Sequence, residues 1–394
     1  MIFQVIGIGN KRYEPAKQLF DIIQKHRVFS GGKRHYELVK HLLPANHEWI
    51  FIKASISTLF KNYENTDQTI VVFASGDPLF YGIANTLHSQ YHHNQIQIYP
   101  YFNAIQLLAQ RANINSSQLQ TVSVHGRSWQ AFDEILIKQA PLIGILTDTE
   151  KSPSAIVDRM LNYGYDNYTI CVGENLESDT EEIRQMELTD ARKHIFHPLN
   201  CVILHKKEHR SIPFGIPDDL FEGLEGRPNM ITKMPVRLCS LQALQLESKN
   251  VLWDIGFCTG SLSIEAKLRF PHLEIHAFEK RPECMQIIDN NQRKFGAVGI
   301  KVYESDIFDL DFMQYSKPDA VFIGGHSGRL RELILKIDQY ATPGTVIVMN
   351  AVQQGSVDEF ITAAQTHNWK MDEPLKLKVN SHNEITILKA IKES

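Results

Sequence analysis

Residues 206–228, KKEHRSIPFGIPDDLFEGLEGRP, hold three prolines, three glycines and many charges. Such a stretch neither sustains a helix nor continues a strand. On either side of it, short β-branched runs alternate with stretches whose apolar residues recur every three or four positions, the pattern of an α/β chain. The break predicts two α/β domains, 1–205 and 229–394, joined by a linker at 206–228. Two cores also suit the length, since 394 residues are many for one.

Strands are predicted at Phe3–Ile8, Trp49–Ile52, Thr69–Ala74, Ile96–Tyr99, Thr121–Val124, Leu142–Leu146, Tyr168–Val172 and Cys201–Leu204. The second series is Val251–Ile255, Glu274–Phe278, Lys301–Tyr303, Ala320–Ile323 and Thr345–Met349, with helices starting near Ser261, Pro282, Gly328 and Ser356. Lys376–Val379 and Glu384–Leu388 alternate apolar and polar residues across Asn380–Asn383, which predicts a closing antiparallel hairpin.

Apolar residues make up 43% and charged residues 22%, with a formal net charge of -4. That balance belongs to an ordinary globular protein and offers no block of like charge for nucleic acid or anionic lipid. No window approaches the roughly 20 apolar residues of a spanning helix, and MIFQVIGIGNKR reads as a first strand rather than a signal peptide. A cytoplasmic location is expected. The five cysteines lack metal-binding or disulfide spacing, so no metal site is expected.

The stretch VLWDIGFCTG, residues 251–260, carries the chemistry. In an open parallel sheet, ligands bind beyond the carboxyl ends of the strands. Gly256–Ser261 ends one strand, Glu279 the next, and Asp306 follows the third. Glycines let the backbone turn and approach a ligand, and an acid at the second strand end can accept bonds from ribose hydroxyls. A dinucleotide turn wants G-x-G-x-x-G, but Cys258 stands at the middle glycine and Ser261 closes the pattern. The turn therefore favours S-adenosylmethionine over NAD, which has a pyrophosphate to seat.

ITKMPVR, VLWDIGFCTGSLSIEA, HAFEKRPE, YESDIFD, DAVFIGGHSGRLREL and PGTVIVMNAV together resemble the C15-methylating, decarboxylating domain family of cobalamin biosynthesis, a Rossmann-like methyltransferase fold. The resemblance implies that Thr232, Gly256, Phe257, Cys258, Thr259, Gly260, Glu279, Asp306 and Ile307 contact S-adenosylmethionine. The Phe257–Cys258 pair departs from the small residues common in relatives.

The first half has VIGIGN at 5–10, VFSGGKRHYEL at 28–38, FASGDPLFYG at 73–82 and VSVHGR at 122–127. Pro78 suits the first turn of a helix from Leu79 onward, which Asp77 could cap. These stretches resemble the tetrapyrrole methylases, the branch acting on carbon 5 of the corrin precursor, and imply a two-lobed α/β fold. By that resemblance Gly7, Gly9 and the Gly76-Asp77-Pro78 turn line a second S-adenosylmethionine cleft. Asn10-Lys11-Arg12 replaces the usual Pro-Gly of the first turn, and YPYFNAIQ lacks the usual Pro-Gly-x-Ser-Ser.

The order of the halves resembles the fused carbon-5, carbon-15 methyltransferases that decarboxylate a precorrin. A flat polycarboxylate substrate asks for cations at the cleft rims, and arginine's planar fork suits carboxylates. Arg12, Lys33, Arg34 and Arg127 are candidates in the first half, and Arg237, His326 and Arg329 in the second. His326, Arg237 and Arg329 are the catalytic candidates, with His326 for proton transfer because imidazoles titrate near neutrality. Arg34, Arg127, Gly324 and Gly325 are the substrate candidates. The expected partners are the tetrapyrrole and further copies of the chain, without nucleic acid or membrane. Two other readings remain at this point: an NAD-dependent α/β dehydrogenase, and a chain whose first half binds tetrapyrrole without methylating it.

Overall fold

In the computed structural model, which describes residues 1–53 and 55–393, the run FQVIGI forms the first strand, β1 (Phe3–Ile8). It sits inside a parallel sheet with β2 (Val28–Gly31), β3 (Glu48–Phe51), β4 (Ile70–Ser75) and β5 (Ile96–Tyr99), in the order β3-β2-β4-β1-β5. Alternate residues of β4 feed opposite cores: Ile70, Val72 and Ala74 pack on one side, Val71 and Phe73 on the other. Covering both faces is why these strands read as unbroken apolar runs. A second sheet has β6 (Leu119–Ser123), β7 (Leu142–Leu146), β8 (Tyr168–Glu174), β9 (Glu182–Glu187) and β10 (Asn200–Lys206), in the order β6-β7-β10-β8-β9. Only β6 and β7 are parallel there; the other pairs are antiparallel.

The third sheet has eight strands. They are β11 (Val251–Ile255), β12 (Glu274–Glu279), β13 (Lys301–Glu304), β14 (Ala320–Ile323), β15 (Val346–Ala351), β16 (Trp369–Met371), β17 (Leu375–Lys378) and β18 (Glu384–Lys392). The order is β13-β12-β11-β14-β15-β18-β16, with β17 hydrogen-bonded to β18. Val251, Trp253 and Ile255 face the helices Leu330–Asp338 and Gln354–Thr366, while Leu252 faces Met234–Leu244, Ser261–Arg269 and Glu283–Phe295. The chain leaves β13 at one edge and returns to β14 beside β11, so the order reverses between β11 and β14. Such a reversal opens a crevice at the carboxyl ends of the strands.

Four sequence expectations change. Strand β2 is four residues of VFSG running into glycine, too short to separate from a turn by pattern. Strand β9 pairs only with β8 at the sheet edge and is half polar, and β16 has three residues. No helix begins at Leu79: the Leu79 amide donates to Asp77 Oδ1 and Phe80 to the Asp77 carbonyl, which makes a turn, and the helix starts at Ile83. Asp77 caps that turn instead.

The stretch 206–228 lacks a long helix or strand but is not a bare tether. Ile216, Phe221 and Leu224 are buried in the core of the second unit. By packing, that unit runs from Lys207 to the end and takes in 128–140 and 158–167, whereas the first comprises 1–127, 141–157 and 168–206. Among the described residues, no helix is long and apolar enough to cross a membrane.

Candidate functional sites

Glycine conformations build the second unit's cleft. Gly256 has φ +77, and a Cβ on it would lie 2.7 Å from the Gly325 amide nitrogen. The turn after β11 and the Ile323–Gly324–Gly325 end of β14 therefore approach closely, and Gly324 and Gly325 both donate to the Ile255 carbonyl. The resulting cleft has a volume of about 810 Å³. Its wall includes Thr232, Gly256, Phe257, Cys258, Thr259, Glu279, Asp306, Ile307, Gly324 and Gly325. Ten residues singled out from sequence thus meet on one surface.

Glu279 is the most heavily bonded of them. Its Oε1 accepts from the Lys280 and Arg281 amides and Arg281 Nε; its Oε2 accepts from the Cys258 amide and from Arg281 Nη2 at 2.7 Å. Burial pushes the carboxyl up, but the Arg281 guanidinium and the backbone donors outweigh it and hold it below the usual range. Asp306 Oδ2 lies 3.8 Å from Lys280 Nζ, which also donates to Ser327 Oγ. Cys258 has φ +52 and turns its thiol to the Met230 carbonyl at 3.0 Å. Burial pushes that thiol up, so it is a poor nucleophile.

Asp254 and Asn350 join this wall although neither was singled out from sequence. Asp254 is fully buried; Ser263 donates to its Oδ2 at 2.5 Å, and its Oδ1 has no partner among the described residues. Burial pushes its carboxyl up to about 7, against the pull of Ser263. The signal was available, since an acid within a strand buried on both faces needs a partner or a task. Asn350 ends the apolar run of β15 with its Nδ2 likewise buried and without a partner among the described residues. The β17–β18 hairpin supplies Val379, His382 and Asn383 from its turn and Ile385 from β18, contacts that only the fold creates.

The raised Asp254 carboxyl has a definite sign. Its folded value, about 7, exceeds the ordinary 3.8, so between those limits the folded chain holds a proton that the unfolded chain releases. Its contribution to stability is complete below the unfolded value and declines as pH rises through the folded one. Asp254→Asn is expected to flatten the fall in melting temperature between about pH 4 and about pH 7. Parallel melting curves for both proteins would refute this.

The remaining second-unit candidates lie elsewhere. Gly260, with φ +73, serves packing: a Cβ would sit 2.4 Å from Ile288 Cγ1. Arg237 is 0% exposed and is not part of the cleft wall. Its Nε donates to Glu265 Oε2 at 2.5 Å, Nη1 to Asp218 Oδ1 and the Thr232 carbonyl, and Nη2 to the Ile216 carbonyl. It ties residues 216–218 to the core. Arg329 points away, forked onto Glu332 with its guanidinium 3.8 Å from the Phe308 ring centroid. His326 is half-buried with Nδ1 unpartnered among the described residues, but the wall is made by its neighbours Gly325 and Ser327.

The first unit has a smaller cleft, about 190 Å³, whose wall includes Gly9, Asn10, Arg34, Ser75, Gly76 and Glu177. Gly7 lies behind it, where a Cβ would come 2.1 Å from the Gly76 carbonyl oxygen; it permits the approach of β1 to the Gly76 turn. Asp77 and Pro78 shape that turn without forming the wall. Arg127 stacks on Tyr81, 5.4 Å from the ring centroid, and Arg12 and Lys33 are exposed away from the wall.

Burial, and then Arg34, push His35 down to about 4, so its ring is neutral. Its Nδ1 accepts from the Gly32 amide, which leaves the proton on Nε2 to donate to Ser75 Oγ at 2.9 Å. Arg34 Nη2 donates to the same oxygen at 2.7 Å. With both lone pairs taken, Ser75 is free to donate its own proton. Glu177, missed from sequence, accepts from Tyr101 Oη at 2.6 Å and from the Asn10 amide.

Comparisons with known proteins find relatives for both halves of the chain. Residues 6–192 match the model for tetrapyrrole (corrin/porphyrin) methylases, and 226–392 match that for the precorrin methyltransferase domain. The chain is 30% identical over 359 residues to the precorrin-6Y C(5,15)-methyltransferase [decarboxylating] of Sinorhizobium sp, covering 88% of this chain and 84% of that protein. It is 36% identical over 137 residues to the cobalt-precorrin-6B C(15)-methyltransferase (decarboxylating) of Salmonella typhimurium, covering 35% of this chain and 69% of that one. The cobalt-precorrin-7 C(5)-methyltransferase of the same organism is 28% identical over 203 residues, 51% of this chain and 96% of its own. With both kinds of methylase domain matched in one chain, and a fused relative matched along most of its length, this chain belongs to the decarboxylating precorrin-6Y C(5,15)-methyltransferase family.

Proposed function

We propose that the chain methylates a corrin precursor, precorrin-6B or its cobalt form, at C5 in the first unit and at C15 in the second. In the same pathway of cobalamin biosynthesis it removes carbon dioxide from the C12 acetate, giving precorrin-8X. The observation that carries this reading is the fused order of two methylase-type domains, each with a cleft at glycine-bearing strand ends.

S-adenosylmethionine fits the residues of the second cleft. Gly256 keeps the turn open where a side chain would collide with Gly325. Asp254 Oδ1, an acceptor without a partner, suits the ammonium of the amino-acid end, and Glu279 and Asp306 stand where ribose and adenine would need acceptors. When bound, the cofactor supplies an electrophilic methyl group on sulfur. The protein's part is alignment, which brings an electron-rich ring carbon into line and keeps water out. In the first cleft, Arg34 and the Ser75 hydroxyl are placed to take a substrate carboxylate. The reading also places the protein in the cytoplasm as a homo-oligomer, which light scattering would test.

Incubation with S-adenosylmethionine and either form of the precursor, followed by mass spectrometry, tests the proposal. Two methyl groups gained and one carbon dioxide lost are expected; an unchanged mass with both forms would overturn it. Gly7→Ala, which drives a methyl group into the Gly76 carbonyl, is expected to give product lacking the C5 methyl yet decarboxylated and methylated at C15. Loss of both methylations would contradict independent sites.

A further inference from the structure

The eight-stranded sheet divides its cleft into two halves of different chemistry. The ends of β11, β12 and β13 bring Asp254, Glu279 and Asp306, the acceptors suited to the cofactor. The ends of β14 and β15 and the β17–β18 turn bring Gly324, Gly325, Asn350, Val352, His382 and Asn383. Those six include no carboxylate and no arginine or lysine; a cation meets this side at Ser327, whose Oγ accepts from Lys280 Nζ at 2.8 Å.

Asn350 is a half-buried polar residue of that second half, and its amide is anchored from one side only. Ser240, on the helix Met234–Leu244, has Asn350 Oδ1 at 3.0 Å and the Val236 carbonyl at 2.9 Å, but only one hydroxyl proton. The Val236 carbonyl already accepts a backbone amide within the helix, so the hydroxyl proton is assigned to Asn350 Oδ1, an assignment that the Asn350→Asp variant tests. Asn350 Nδ2 is then left buried without a partner among the described residues, on the cleft wall. Asn350 has the parity of Val346 and Val348 and shares the face of Asp254. From the register it stands two strands and two residues beyond Asp254, roughly 12 Å away. That offset separates it from Asp254, Glu279 and Asp306, the acceptors assigned to the cofactor above.

We infer that Asn350 is a positioning residue for the acetate carboxylate lost as carbon dioxide, an inference that rests on the function proposed above. A neutral amide donor can orient a carboxylate without the full charge of a lysine or arginine. A cation there would stabilise the carboxylate more than the transition state in which its charge is leaving, and would slow the reaction. In the step itself, the bond between the acetate methylene and its carboxyl carbon breaks, carbon dioxide departs, and the electron pair passes into the conjugated ring. The methylene carbon takes up a proton and becomes a methyl group. That proton balances the one released at C15, so no external acid is consumed.

The test compares Asn350→Ala, Asn350→Asp and Ser240→Ala with the parent enzyme. Asn350→Ala is expected to slow loss of carbon dioxide by about 10- to 100-fold, with product gaining its C5 methyl but retaining the carboxyl. Its affinity for S-adenosylhomocysteine by calorimetry and its melting temperature should stay close to the parent's. Asn350→Asp should be slower still, because a second carboxylate faces the substrate's, and Ser240→Ala should fall between Asn350→Ala and the parent. Parental decarboxylation by Asn350→Ala would overturn the inference. So would tolerance of Asn350→Asp, which would mean the amide presents its oxygen, or loss of S-adenosylhomocysteine binding, which would assign Asn350 to the cofactor. If the parent neither methylates nor decarboxylates, the functional reading itself fails and the inference falls with it.

Discussion

Replacing Arg237 with leucine is expected to cost the second unit about 3–5 kcal/mol and lower its melting temperature by roughly 10 °C. The guanidinium is fully buried and forked between Glu265 and Asp218, with the carbonyls of Ile216 and Thr232 taking two more of its five N–H donors. Removing it strands Glu265, itself 3% exposed, as an unpaired buried charge. A compensating Glu265→Leu is not expected to restore stability, because Glu265 Oε1 also accepts from the Gly215 and Ile216 amides, which would then be orphaned. Calorimetry of the single and double variants checks both points; a melting temperature within about 2 °C of the parent for Arg237→Leu would refute the buried network.

The second large effect is at Glu279. Glu279→Ala is expected to weaken S-adenosylhomocysteine binding to the second unit about 100-fold, close to 3 kcal/mol. The side chain orders the turn as well as offering acceptors. Its Oε2 takes the Cys258 amide inside the glycine turn, and its Oε1 takes the Lys280 and Arg281 amides beyond β12. Loss of the carboxylate also leaves Arg281 without the partner that pushes its guanidinium up. Isothermal calorimetry, with binding to the first unit removed by Gly7→Ala, reads the second site alone. Unchanged affinity would mean that Glu279 serves the turn and not the ligand.

The glycine turn was legible because its chemistry is local. Gly256 must take a positive φ, and an apolar run leading into it marks a strand end. The residues predicted from strand ends, Glu279 and Asp306, reached the cleft for the same reason. Arg237 and Arg329 misled because a one-dimensional reading gives a cation near a motif no direction. One is turned into the core by Glu265, the other outward by Glu332. Gly7 and Gly260 were read as ligand contacts, but the structure uses their missing side chains to bring Gly76 and Ile288 close.

Sequence alone determined the two α/β series, most of their strands, the closing hairpin and the glycine-bearing strand ends where cofactor chemistry belongs. These follow from periodicity and backbone sterics, which act within a few residues of each other. Tertiary structure alone decided that residues 207–228 pack as part of the second unit, that the hairpin walls its cleft, and that Asp254 and Asn350, each with a buried atom unpartnered among the described residues, belong to that wall. Each depends on which distant groups arrive opposite a side chain. Ser263 engages one oxygen of Asp254 and Ser240 one end of the Asn350 amide, and what they leave unbonded is set by packing between helix and sheet.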